Sequence, residues 1–468
     1  MTFAALPLIG PAAPSIQSHD LARLIQIGLL VACAVFVFGH AIRQRQPIKA
    51  FDRMTLLICG VLAALLLAAI ANAQVQHAAL LELALLALLI LFSALLARVF
   101  VDLDIARSAG WLLIVCGALL SFAIGTRYLA GVLSEGTLLR EQLMPGYSNY
   151  RFQNHVQCVT IPLLAVFIAR PGVSRAQYVL GFTVLALEFC WLAFTGGRAT
   201  MLALAAGVGV VTVLYRFQSS RWLRAFGSCA FVGAVLYWVL FAAVPSLFGI
   251  AGDYTALDTV ERSATDTGQT RKLLWDLALR YIAESPWLGI GPMHFAHRLN
   301  PEAAHPHNVY LQIAAEWGLP MLAMVLVLAG LGMRRLIRAT RQSDNPEDAD
   351  LGVGLTAVCV AIAVDGVFSG NFVMPNSQLW IAFALGLAAA YVIRVEARNA
   401  PANSQTPVGG TVDARWPIAV AILLAQVALW QGVWPQILDV SAHVDRVRAE
   451  IVANERDNPR FWSHGWFK

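Results

Sequence analysis

Long apolar stretches parted by short polar breaks run through the chain. A bilayer core of about 30 Å takes about 20 apolar residues of helix. Runs that meet or approach this length lie at about 22–42, 54–72, 79–97, 109–127, 155–169, 176–195, 199–215, 226–248, 307–331, 352–370, 376–393 and 416–434. The shortest, 155–169, contains Pro162. It is kept as a span because neighbouring helices can satisfy a backbone that proline opens. The pattern predicts an all-α polytopic membrane protein of about 12 transmembrane helices. Its parts would be N-terminal helices (1–248), a long outer loop (249–306), C-terminal helices (307–434) and an outer tail (435–468).

Positive charge gives the orientation. Arg43, Arg45, Lys49 and Arg53 share one connection. Arg98 with Arg107, Arg170 with Arg175, and Arg216 with Arg221 and Arg224 mark the next. Arg334, Arg335, Arg338 and Arg341, then Arg394 and Arg398, mark the last two. These are alternate connections, which basic residues place in the cytoplasm. The turns at 72–77 and 371–377, the 128–154 and 249–306 loops and both termini are then expected outside. No Lys or Arg precedes Arg23, and Pro7, Pro11 and Pro14 interrupt the start, so the first span is expected to do the targeting.

Composition narrows the class. With 58% hydrophobic and 13% charged residues among 468, the chain is not an ordinary soluble enzyme, in which about 25% is charged. The net charge of +5 is absorbed by the topology, which leaves no basic patch for nucleic acid. All seven cysteines lie in apolar segments and read as small core residues. Ala397 to Ala414, rich in Pro, Gly, Thr and Asn, reads as a flexible cytoplasmic linker. The sequence contains no internal repeat, which weakens a transporter built from duplicated halves. The larger polar segments face outward, away from ATP and nucleotide-sugars. Chemistry there must be driven by a bond already activated in its substrate, such as a lipid-linked pyrophosphate.

Several polar groups sit where such chemistry would occur. His305, Pro306, His307 and Asn308 lie at the outer boundary of the 307–331 run. An imidazole whose ordinary pKa is near 6.5 can accept a hydroxyl proton there. The same residues also read as interfacial polar groups with Asn308 as a helix cap, or as part of an H-x-H zinc site. Arg198 follows Gly196 and Gly197 in a tight turn, where a guanidinium and close backbone N–H groups can grip a phosphate. A snorkelling arginine is the plainer reading. Leu274, Leu277, Ala278 and Tyr281 fall at helical spacing in Thr270–Ile282, predicting an amphipathic helix that Ser285-Pro286 ends. Arg271 at its start has a better claim on an anion than Arg280 near its end. Glu188, Glu316, Asp365 and the run Arg151 to Gln157 are further suspects, with helix-to-helix hydrogen bonding as their structural reading. Asp102-Leu103-Asp104 and Asp348-Ala349-Asp350 are expected to be solvated, charge-balancing residues and not metal ligands.

Taken in order, the turn Gly196 to Arg198, the stretch TRKLLWDLALRYIAESPWLGIGP (270–292) and HPHNVYLQIAAEWGLP (305–320) resemble the O-antigen ligase/polymerase family. The long outer loop before the HN-x-YL helix agrees with it. The resemblance implies a GT-C-like helical membrane fold in the bacterial inner membrane with its active site facing the periplasm. It implies a metal-independent, cofactor-free inverting glycosyltransferase whose donor is an undecaprenyl-pyrophosphate-linked glycan. The acceptor would be lipid A-core or a protein; the short tail favours a lipid or glycolipid. His307 becomes the catalytic histidine, with His305 an extra imidazole that leaves the choice within His-Pro-His open. Arg198 and Arg271 become pyrophosphate-binding arginines, and Gly197, Asn308 and Tyr310 join them as substrate-binding residues. A polymerase differs in acceptor alone. A transporter or flippase of lipid-linked sugars is the competing class, and it should carry charged groups through the full membrane depth.

Overall fold

The computed structural model describes residues 16–43, 53–252, 269–298, 300, 302–399, 415–434, 436–450 and 458–467. Pro7, Pro11 and Pro14, the basic residues Arg45 and Lys49, and nearly all of the 397–414 linker lie outside the described residues.

The chain is an all-α, multi-span membrane protein. Its helices are α1 (Ser18–Arg43), α2 (Arg53–Ala71), α3 (Gln76–Val99), α4 (Leu103–Ala130), α5 (Arg151–Ala169), α6 (Arg175–Thr195), α7 (Arg198–Tyr215) and α8 (Ser220–Trp238). They continue with α9 (Gln269–Glu284), α10 (Val309–Trp317), α11 (Leu319–Arg341), α12 (Pro346–Phe368), α13 (Pro375–Asn399), α14 (Arg415–Val433) and α15 (Val440–Glu450). Among the described residues the one strand pairing is a two-residue parallel bridge, Thr137–Leu138 with Ala251–Gly252.

Among the described residues, nine helical stretches are long and apolar enough to cross a membrane, against the expected twelve. The expected runs 199–215 and 226–248 fall within one stretch, 198–248, although the backbone breaks inside it at Arg216, with φ +46°. The runs expected at 54–72 and 416–434 correspond to α2 and α14, each 19 residues long. The run expected at 307–331 is two helices, because Gly318 turns the chain between α10 and α11 with φ +86° and ψ 164°. A Cβ at Gly318 would lie 2.3 Å from the Trp287 carbonyl oxygen, so only glycine fits this turn.

α5, α12 and α13 are the most enclosed spans, while α11 and the 198–248 stretch are the least buried. α12 packs along α7, α5 and α11, and α13 along α3. This position explains α5. Gln153, Asn154, Gln157 and Thr160 are buried, and helical neighbours, not lipid, surround them.

Ion pairs between basic and acidic residues of different helices cluster at one end of the bundle. There Arg107 pairs with Glu347 at 2.5 Å and Arg221 with Asp350 at 2.9 Å. Arg394 pairs with Asp348 at 2.7 Å, and Arg398 bonds its other oxygen. Asp348 and Asp350 are both about 1% exposed. They balance charge as expected but are buried, not solvated, because basic residues of other helices close over them. Asp102 instead caps α4, accepting from the N–H groups of Asp104 and Ile105. The other end of the bundle holds a cavity.

Candidate active site

The cavity has a volume of about 730 Å³. Helix ends and loops build it: the start of α5, the α6–α7 turn, the start of α9, the loop before α10, the end of α12, and Asn458 and Pro459 of the tail. Arg198, Gly197, Arg271, His305 and His307, distant in sequence, all line it.

The α6–α7 turn is two residues long. Gly196 ends α6 in the left-handed region, φ +64°, and its N–H closes back on the carbonyls of Ala193 and Leu192. Gly197 precedes α7 and sits so tightly that a Cβ would lie 2.6 Å from Asn154 Nδ2. Arg198 is therefore the first residue of α7, an 18-residue helix without a side-chain N-cap, and Ala199 and Thr200 line the cavity beside it. A guanidinium and a helix N-terminus on one wall form an anion-binding arrangement.

Arg271 is placed by the amphipathic helix that the sequence predicted. Leu274, Ala278 and Tyr281 of α9 are buried with Ile290, Phe295, Ala303 and Ala315. This seats the helix start at the cavity, while Arg280 stands outside the lining.

The histidine loop ends at α10. Asn308 accepts from the N–H groups of Tyr310 and Leu311, and the Tyr310 hydroxyl donates to the Ala363 carbonyl at 2.8 Å. Both residues stand outside the cavity lining, their polar groups spent on holding α10 and joining it to α12. His307 takes φ +53°, which is uncommon for a residue with a side chain. His305 is 3% exposed and packs against Gly370, where a Cβ would lie 2.6 Å from its ring. Burial, then the charges of Arg271, His155 and Arg151, lower the His307 pKa to about 3. Burial, with His307 next, also pushes His305 well below the ordinary histidine range. Both shifts favour the neutral imidazole.

The lining also holds a buried acid. Asp365 of α12 is 0% exposed; Oδ1 accepts from the Thr200 hydroxyl at 3.0 Å and Oδ2 from the Ser369 hydroxyl at 2.5 Å. Oδ2 also lies 3.5 Å from His155 Nδ1 of α5. Asn154 Oδ1 accepts from the Thr195 hydroxyl at 2.7 Å. These bonds lock α5, α12 and the glycine turn together. Sequence reasoning named His155 and Asp365 only as general suspects and missed Asn458 and Pro459. The cluster Phe461, Trp462, Trp466 and Phe467 was the available signal that this tail is not solvated. Among the described residues no cluster of His, Cys, Asp or Glu is arranged to hold a metal ion.

Residues 182–326 match the family described as O-antigen ligase. The matched region spans the glycine turn, Arg271 and the histidine loop. No curated protein matches the chain.

Proposed function

We propose, from the match of residues 182–326 to the family described as O-antigen ligase, that the chain is an inverting, metal-independent glycosyltransferase of the bacterial inner membrane with a GT-C-like fold. It moves a glycan from undecaprenyl pyrophosphate to an acceptor hydroxyl at the periplasmic face, with lipid A-core or a protein as acceptor. The observation that carries this reading is the meeting of Arg198, Arg271 and His307 at one cavity.

The chemistry follows from those groups. The acceptor oxygen attacks the anomeric carbon as the carbon–oxygen bond to the pyrophosphate breaks, which inverts that centre. The acceptor proton passes to His307. The bond's electron pair leaves with the pyrophosphate, whose charge Arg198, Arg271 and the α7 N-terminus stabilise. The same anion offsets the cations that depress His307, so donor binding raises the basicity of the imidazole when it is needed. A pyrophosphate leaves without a general acid, so no second carboxylate is required.

Orientation rests on charge. The cavity lies at the end opposite the arginine-rich ion pairs, and the positive-inside rule turns it outward. A flippase is disfavoured because the candidate cations gather at one end. The test is transfer by purified protein between added lipid-linked donor and acceptor, with EDTA present. Absence of transfer with intact donor and acceptor would sink the reading. Surface-glycan gels of a deletion strain separate a ligase, whose loss leaves lipid-linked polymer, from a polymerase, whose loss leaves single repeats.

A further inference from the structure

The segment 458–467 is folded into the cavity end of the bundle through buried polar contacts. Arg460, 3% exposed, donates from Nη2 to Glu82 of α3 at 2.8 Å and to Glu316 of α10 at 2.7 Å. Arg23 of α1 donates to the carbonyls of Arg460 and Phe461, each at 3.0 Å. Asp20 accepts from the Ser463 N–H at 2.6 Å and the Ser463 hydroxyl at 2.7 Å. Trp466 is buried with Ala296 and Ala304, and Phe467 stacks on His297 at 5.4 Å. A turn closes the segment: the Gly465 N–H donates to the Asn458 carbonyl at 3.1 Å. Burying one guanidinium with two carboxylates is weakly stabilising at best, but it fixes geometry closely.

The anchors show which wall this segment makes. Glu316 takes Arg460 on Oε2 and the Phe295 N–H on Oε1, at 3.0 Å, so it joins the tail to the chain that leads into His305 and His307. His297, Ala296 and Ala304 lie on that same chain. Asn458 and Pro459 line the cavity and open the segment that Arg460 and Glu316 tie to the histidine loop.

We propose that residues 458–467 form the acceptor wall of the transfer cavity, with the Asn458 carboxamide hydrogen-bonding a hydroxyl of the acceptor and Arg460 a positioning residue that sets this wall against the histidine loop through Glu316. This inference rests on the glycosyltransferase reading. It adds a specificity element outside the family-matched region.

The test is steady-state transfer by purified full-length protein, with donor and acceptor varied separately. Asn458→Ala is expected to raise the acceptor KM by about tenfold, the worth of one hydrogen bond, and to leave the donor KM unchanged. Arg460→Met should shift acceptor KM in the same direction, and Arg460→Lys should recover part of the loss. A structural role alone would lower the yield of folded protein without this split. Wild-type acceptor KM in Asn458→Ala, or a rise in donor KM instead, overturns the acceptor wall while wild-type transfer leaves the function reading standing. Absence of transfer by the wild type overturns both.

Discussion

The backbone N–H of His307 donates to Nδ1 of His305 at 3.2 Å. An Nδ1 that accepts a hydrogen bond leaves the proton of a neutral imidazole on Nε2. His305 then has no free ring nitrogen with which to take a proton. The two rings lie 4.1 Å apart, and the bond steadies His307 in its left-handed conformation. In that tautomer His305 supports the turn, which leaves His307 as the ring open to act as the base in the proposed transfer.

The first prediction separates these roles. A positioned base contributes about 10²–10⁴-fold, so His307→Ala should lose transfer by about that factor. His305→Ala should lose less, through a loosened turn. Purified variants compared by single-turnover transfer decide it, and wild-type rates for His307→Ala would refute the assignment.

The second prediction concerns pH. The His307 pKa lies at about 3 in the protein alone, so falling pH protonates it only near that value. The acid limb of kcat/KM, which reports free protein, should therefore be absent around pH 6.5. In the donor complex the anion favours the imidazolium, so the acid limb of kcat should stand at higher pH than that of kcat/KM. Arg271→Gln removes a cation that lowers the pKa and should move the free-protein limb upward. Identical limbs in kcat and kcat/KM would remove the proposed coupling between donor and base.

A third prediction comes from the glycine turn. Gly197→Ala would press a methyl group against Asn154, whose Oδ1 holds the Thr195 hydroxyl. Overpacking of this kind costs about 1–3 kcal/mol. Melting in detergent should fall accordingly, and donor affinity should weaken because Arg198 and the α7 N-terminus move with the turn. Unchanged melting and donor binding would show that the turn relaxes freely.

The sequence carried the spans and the local motifs, because hydropathy and turn chemistry are written in neighbouring residues. Even α5 was legible despite Pro162. The division of the 307–331 run at Gly318 was not, since Gly-Leu-Pro inside an apolar stretch leaves the hydropathy unbroken. Arg198, Arg271, Gly197, His305 and His307 were named from motifs, and their meeting at one cavity depends on contacts between distant helices. Asn308 and Tyr310 belong to the same motif but serve the backbone of α10 and the joint with α12. The burial of Asp348 and Asp350 was invisible because Arg394 and Arg221, which cover them, come from other helices.

That burial gives a fourth prediction. Asp348→Ala would leave Arg394, 6% exposed, facing the lost carboxylate. Removing one partner of a buried pair costs about 3–5 kcal/mol. Asp102→Ala removes only a helix cap, worth about 1 kcal/mol. Thermal unfolding in detergent should therefore fall much further for Asp348→Ala. Equal shifts would mean that water reaches the Asp348 cluster and screens it.

The last prediction tests which end of the bundle faces out. Glu302 precedes the histidine loop at the cavity end, and Gln342 follows α11 at the arginine-rich end. Among the described cysteines Cys116, Cys158, Cys190 and Cys229 are buried, and Cys33 and Cys359 are half-buried within helices. They should react slowly with a charged reagent. In intact cells with a permeabilised outer membrane, a membrane-impermeant maleimide should label Glu302→Cys and leave Gln342→Cys unmodified until the inner membrane is broken. The reverse order would place the cavity in the cytoplasm. Nucleotide-activated donors would then be available to it, and the argument for a lipid-linked pyrophosphate would lose its basis.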